Sequence, residues 1–327
     1  MQAFEYAAPT SVEAAVALLG ADSQVLAGGT DLVSLMKEYV VSPKRIVSLK
    51  DVKSLGGIEY KSSSGLRLGA TVTFQELVDS PVVARNYPAL VQAAEGVSSP
   101  QVRSRGTVAG DLCQRPRCWY FRLGYGLLAQ MEGKALVPDG DNRYHAILGN
   151  EGPAYFVNPS SLAPILIALG AKVRAQGPQG PREISLHNFF KTPKSADERE
   201  YDLQPNEIIT DVAVPPPGGI RMAVYEVRQK DAIDWPLAAA AVAFKLSGGK
   251  VEDARVVLGH VAPVPWPSLE AEHALEGKAP SEDNADEAGK AAVSRATPLS
   301  KNAYKVKLAR VAVKRAILAA AKGGTHA

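Results

Sequence analysis

The sequence predicts an α+β fold, and three observations carry that prediction. Helical and strand patterns follow one another in the order β-α-β-β-β-α-α over roughly the first hundred residues, without a regular βαβ alternation. Two turns of nearly bare backbone, Ala27-Gly28-Gly29-Thr30 and Gly106 to Asp111, lie in the N-terminal half. A proline-glycine run, Pro215-Pro-Pro-Gly-Gly219, then separates three strand-like runs and a helical tail from all that precedes them.

Taken in order, Thr10-Ser-Val-Glu13 has capping-box spacing with Thr10 as the cap. Val12, Ala15, Val16 and Leu19 then share one helical face, and Gly20 ends the helix. Val25 and Leu26 close a buried strand, and Asp31 opens the next helix. A turn of so little bulk between them lets backbone N–H groups approach an anion, and the helix N-terminus adds a favourable dipole. A phosphate or pyrophosphate is the natural guest; a plain tight turn is the competing reading of that stretch alone.

Arg45 to Leu49 reads as a second strand, and Ile58–Lys61 with Leu66–Ala70 as a hairpin across Ser62 to Gly65. Thr73-Phe-Gln-Glu76 is another capping box, and a further helix covers Pro88 to Glu95. Val97 to Gly149 is irregular and punctuated by glycine. Ser160 to Gly170 is an amphipathic helix, Ala171 to Gln176 a strand, and Glu207 to Val214 another. Beyond the boundary, Arg221–Arg228, Leu237–Leu246 and Val251–His260 form an antiparallel meander, followed by helices at Ser268–Leu275, Glu282–Arg295 and Asn302–Ala321. The last sets Lys305, Lys307, Arg310, Lys314 and Arg315 beside a stripe of Val306, Ala309, Val313 and Ile317, the pattern of a surface helix packed on its own domain. The expected domains are 1–214, with subdomains of about 1–56 and 57–214, and 215–327.

Composition narrows the classes. A chain of 327 residues, 46% hydrophobic and 22% charged, can bury a real core in two or three domains. A net charge of +3 with dispersed basic residues gives no nucleic-acid footprint. No apolar run reaches the roughly 18 residues of a membrane span. The first residues lack the pattern of a secretory signal, and two cysteines, Cys113 and Cys118, give no disulfide framework, so cytoplasm is the expected location.

Each glycine turn is flanked by a threonine and an aspartate able to bind ribose or ribityl hydroxyls, so two converging turns could hold both halves of a dinucleotide. Neither turn is a Gly-x-Gly-x-x-Gly fingerprint, which disfavours a Rossmann domain. His145, His187 and His260 lack metal-ligand spacing and read as structural, and no nucleophile elbow or Ser-His-Asp set is present.

Phe4-Glu-Tyr-Ala-Ala-Pro-Thr-Ser-Val-Glu-Ala-Ala followed by Val25-Leu-Ala-Gly-Gly-Thr-Asp-Leu32 resembles the FAD-binding medium subunit of the xanthine dehydrogenase/carbon monoxide dehydrogenase family. Arg103-Ser-Arg-Gly-Thr-Val-Ala-Gly-Asp111 is similar to that family's second flavin loop. The resemblance runs from about Phe4 to the last helix and implies a two-subdomain FAD-binding domain of the PCMH type, then a C-terminal three-stranded antiparallel sheet with helices. Its implied cofactor is FAD. The implied contacts are Val25, Leu26, Ala27, Gly28, Gly29, Thr30, Asp31 and Leu32 on one side, and Val97, Thr107, Val108, Ala109, Gly110 and Asp111 on the other. Ala109 and Asp111 stand where the family usually has glycine and asparagine, and Ser161 in Asn158-Pro-Ser-Ser-Leu162 stands where it usually has aspartate.

Tyr225 to Pro236 matches a family segment that reaches towards the flavin, which implies Arg228 or Lys230 near the isoalloxazine; solvated strand charges are the alternative. Gln114 to Arg122 resembles the subgroup of 4-hydroxybenzoyl-CoA reductase-type flavin subunits, whose insert binds an extra iron–sulfur cluster through four cysteines. Only Cys118 has a counterpart, so that cluster is expected to be absent and both thiols idle. The resemblance further implies a large molybdopterin subunit and a small two-cluster iron–sulfur subunit as partners, in a dimer of heterotrimers. Electrons would pass through FAD to NAD+, a quinone or another acceptor. The alternative is a scaffold subunit that has lost FAD.

Overall fold

A computed structural model describes every residue except Ser98, Asp231, Ala232 and 324–327. Asp231 and Ala232, inside the Tyr225 to Pro236 segment, thus lie outside the described residues.

The first sheet is small and wholly parallel. Arg45–Ser48 is central, between Glu5–Ala7 and Ser23–Leu26, and the helix Leu32–Lys37 is the crossover from one parallel strand to the next. The sequence showed no strand at 5–7 and no parallel array, because three residues are too few to display a period. The helix Val12–Ala17 is capped by Ser11, whose Oγ accepts the Ala14 N–H at 3.1 Å. The cap thus falls one residue later than the Thr10–Glu13 spacing predicted.

A five-stranded antiparallel sheet follows, in the order Ile58–Lys61, Gly65–Gly69, Ile208–Val214, Lys172–Gly177, Gly180–Ser185. Its last strand carries Pro181 and two charges and showed no strand pattern. The Thr73–Glu76 capping box is present, with both reciprocal bonds made, and it starts the helix Phe74–Val78.

The C-terminal sheet runs Arg221–Val227, Ala238–Ser247, Lys250–Gly259, then a fourth strand of two residues, Trp266–Pro267. Four strands replace the expected three, since a dipeptide containing proline leaves no periodic signal. Alternation along Ala238 to Phe244 explains why a run of small residues sits there. Ala241 and Ala243 join the core shared with the N-terminal half, while Ala238, Ala240, Val242 and Phe244 face a second core, where the helix Tyr304–Ala321 packs on this strand and the helix Glu282–Ala292 packs on that helix. That last helix is not wholly a surface element. Lys305 is buried in its first turn, and its Nζ donates to the carbonyls of Tyr144 and His145, both at 3.1 Å, and of His260 at 2.8 Å. Burial pushes its pKa down to about 7. It ties the 118–156 stretch to the end of a C-terminal strand. That stretch has its own small core, in which Phe121, Leu127, Leu128 and Phe156 pack against Leu35.

Candidate cofactor site

The two glycine turns do converge. A Cβ built on Gly28 would lie 1.7 Å from the Arg105 carbonyl oxygen, so the first turn runs backbone against the start of the second. Gly29 has φ +75°, which an L side chain rarely adopts. Between them, Ala27 to Leu32, Thr107, Ala109 and Gly110 line a cleft of about 1170 Å³, part of it open to solvent. A second cleft continues from it. Thr30, Asp31, Thr107, Gly110 and Gln114 line both, and the second extends past Val97, Asp111 and Ser161 to Trp235 and Pro236.

The turns differ in what their backbones offer. Among the described residues, the N–H groups of Gly28, Gly29, Thr30 and Asp31 find no acceptor within the protein. In the second turn the donors of Gly106 and of Val108 to Asp111 are all engaged, in and around the short helix that residues 108–112 form. The Val108 N–H bonds the Val72 carbonyl at 2.8 Å, Ala109 bonds Ala70 at 3.1 Å, and Gly110 bonds Thr107 Oγ1 at 3.1 Å. The first turn is therefore the one able to receive a pyrophosphate. A row of free N–H groups opening on a cleft fits the dinucleotide.

Both aspartates serve the protein itself, which changes the expectation that they bind sugar hydroxyls. Asp31 accepts the Arg115 N–H at 2.8 Å and Arg122 Nη2 at 2.7 Å, so it clamps the segment after Cys113 onto the first turn. Asp111 is buried and reaches across to the Asn158 to Leu162 turn. Its Oδ2 accepts Ser160 Oγ at 2.5 Å and the Leu162 N–H at 3.0 Å, and its Oδ1 accepts the Ser161 N–H at 3.2 Å and Gln114 Nε2 at 2.8 Å. Burial raises its pKa, and these donors act against that shift. Ser161 is thereby held on the wall of the second cleft.

Four of the named residues do not line either cleft: Leu26, Val108, Arg228 and Lys230. Val108 is fully buried in the core. Arg228 bonds the Gly96 carbonyl and pairs with Glu226, which fixes the end of the helix Pro88–Glu95 to the C-terminal sheet. Lys230 is exposed, and its N–H bonds Asp234 Oδ2 at 3.0 Å. Sequence reasoning missed Tyr201 and the Glu200–Arg115 pair (2.5 Å) beside the first cleft, for which no local motif exists. It also missed Trp235, although that residue lay in a segment already singled out.

Comparison with known proteins settles the kinship. Residues 2–217 match the FAD binding domain in molybdopterin dehydrogenase, and residues 223–320 match the CO dehydrogenase flavoprotein C-terminal domain. This chain belongs to the FAD-binding family of molybdopterin dehydrogenases. Within that family it is 30% identical to the carbon monoxide dehydrogenase medium chain of Hydrogenophaga pseudoflava, over 97% of this chain and 96% of that one. It is 33% identical to the aldehyde oxidoreductase FAD-binding subunit PaoB of Escherichia coli, over 81% of this chain and 84% of that one. The solved structure of the Hydrogenophaga pseudoflava enzyme superposes with a TM-score of 0.77, covering 98% of this chain and 97% of that chain. Quinoline 2-oxidoreductase from Pseudomonas putida 86 superposes at 0.78 with 25% identity, covering 99% of each. The family member described here is thus an FAD-binding oxidoreductase subunit, and its fold is the α+β arrangement predicted.

Two buried histidines near this region make its stability depend on pH. Burial, then the charge of Lys305, holds the His145 pKa down to about 4; the same causes, with Arg228, hold His260 down to about 3. Both are neutral in the folded chain and titrate near their ordinary value when unfolded. The stability that the two histidines contribute by staying neutral is therefore fully present above about pH 6.5 and falls as pH drops towards 4, by up to roughly 1.4 kcal/mol per pH unit for each histidine. Urea melts of wild type and His260→Gln between pH 7.5 and 4.5 should show a shallower fall in the variant. Parallel pH profiles would refute the assignment.

Proposed function

We propose that this chain is the FAD-carrying electron-transfer subunit of a heterotrimeric molybdenum hydroxylase. Substrate is oxidised at a molybdopterin centre on a large subunit, and electrons reach this chain through two iron–sulfur clusters on a small one. They leave to NAD+, a quinone or another acceptor, and the assembly is a dimer of heterotrimers. The kinship with medium chains and FAD-binding subunits supports the partners. The observation that carries the reading is the row of free N–H groups at Gly28 to Asp31 opening on two continuous clefts.

Residues 1–214 form the flavin-binding unit and 215–327 the C-terminal domain. Bound FAD supplies the exchange of single electrons for pairs. The chain's residues supply position. The Gly28 to Asp31 amides receive the pyrophosphate, Thr107 and Ser161 offer hydroxyls along the cleft, and Asp31 and Asp111 hold the two walls in place. No side chain acts as acid, base or nucleophile.

The visible spectrum of the purified chain, followed by release of cofactor with heat or acid and chromatography, is the direct test. Stoichiometric, non-covalent FAD without iron–sulfur absorbance is expected. A colourless chain that takes up no FAD even with its partners present would sink the reading in favour of a scaffold.

A further inference from the structure

A third cleft lies beside the flavin clefts and is used by nothing described so far. It encloses about 820 Å³, part of it open to solvent. Its walls are aromatic: Trp119, Tyr144, Trp235 and Phe156 line it with His145 and His260. Trp119 meets Tyr144 edge-on at 5.5 Å and His145 at 5.7 Å. Tyr144 and Trp235 are 39% and 40% exposed, so both rings line the cleft and still reach solvent.

Position and polarity narrow the occupant. Arg117, Asp234, Trp235 and Pro236 line both this cleft and the second flavin cleft, so Trp235 stands as a shared wall. The Arg117 guanidinium lies 4.5 Å from the centre of the Trp235 ring. His145 Nδ1 and His260 Nε2 are buried without a partner among the described residues, while His145 Nε2 meets Cys118 Sγ at 3.1 Å. Asp234, an acid on the wall of this cleft, is engaged by the N–H groups of Gln229, Lys230 and Trp235. Basic and imidazole groups thus surround aromatic faces, which suits a flat ring carrying carbonyl oxygens. No glycine lines the cleft, unlike the Gly28 turn, so it is not shaped for a second pyrophosphate.

We propose that this cleft binds a planar quinone, whose ring lies among Trp119, Tyr144 and Trp235 next to the flavin. The proposal rests on the electron-transfer reading above and selects one class of acceptor from it. Two electrons and one proton leave the anionic, fully reduced flavin and a second proton comes from water, which is left as hydroxide, so quinone becomes quinol and the flavin is reoxidised.

Calorimetric titration of the full chain, with whatever subunits co-purify, against menadione is the test. One saturable site is expected, with affinity lowered about tenfold in Tyr144→Ala and in Trp119→Leu through lost ring stacking. Tyr144→Phe keeps the ring and should keep the affinity, and FAD content should be the same in all four proteins. Absence of saturable binding, or equal affinity in every variant, overturns the proposal. So does displacement of menadione from flavin-free chain by added FAD, which would place it in the flavin clefts. Should the chain hold no FAD yet bind menadione with this mutational pattern, the electron-transfer reading fails while the cleft stands.

Discussion

Gly28→Ala is expected to purify without flavin and with a lowered melting temperature. The methyl group would lie 1.7 Å from the Arg105 carbonyl oxygen and 2.6 Å from its carbon, and both are backbone atoms that no rotamer change can clear. The chain must separate the two turns, and overpacking of this kind costs about 1–3 kcal/mol, occasionally more. The larger effect falls on the cofactor. Parting the turns moves the row of free N–H groups relative to Thr107 and Gly110, across the cleft they share. Flavin absorbance per mole of chain, read beside circular dichroism, separates the two losses. Gly20→Ala is the control, since nothing lies within 4 Å of a Cβ there, and it should retain flavin. A Gly28→Ala chain with full flavin would mean that the turns can part without harm to the site.

Why one glycine turn differs from the other was not legible in the sequence. Both show low bulk, a threonine and an aspartate. The difference lies mainly in long-range pairing: the Val108 and Ala109 amides meet Val72 and Ala70, and only the Gly110 bond to Thr107 is local, while the amides of the first turn have no such partners among the described residues. Patterns at i+3 and i+4 see the Thr73 capping box and the helix faces, because those contacts are local. They do not see Asp31 bonded to residues 84 and 91 positions away, or Lys305 bonded 160 positions back. The same limit hid the third cleft. Trp119, Tyr144 and Trp235 come from three separate stretches, and only the folded chain brings them together.

The second large effect is expected at Asp111. Asp111→Ala removes the acceptor for Ser160 Oγ and for the Ser161 and Leu162 N–H groups, all of them in a buried turn. Each orphaned donor costs about 1–3 kcal/mol, so a loss of roughly 3–5 kcal/mol is expected after partial relaxation. Ser160 Oγ also accepts the Ala163 N–H at 3.0 Å, so the start of the helix Ala163–Ala168 loosens with it. The chemistry makes Asp111→Asn informative. The amide keeps one acceptor oxygen but turns a donor towards groups that are themselves donors, so part of the loss should remain. Urea unfolding gives the stability of each variant, and hydrogen exchange at Ser161 and Leu162 reads the local loosening. FAD affinity should fall with the exchange protection, because Ser161 sits on the cleft wall through this carboxylate alone among its described hydrogen bonds. If Asp111→Ala lost stability but kept both protection at Leu162 and FAD affinity, the carboxylate would be a core group without a part in shaping the site.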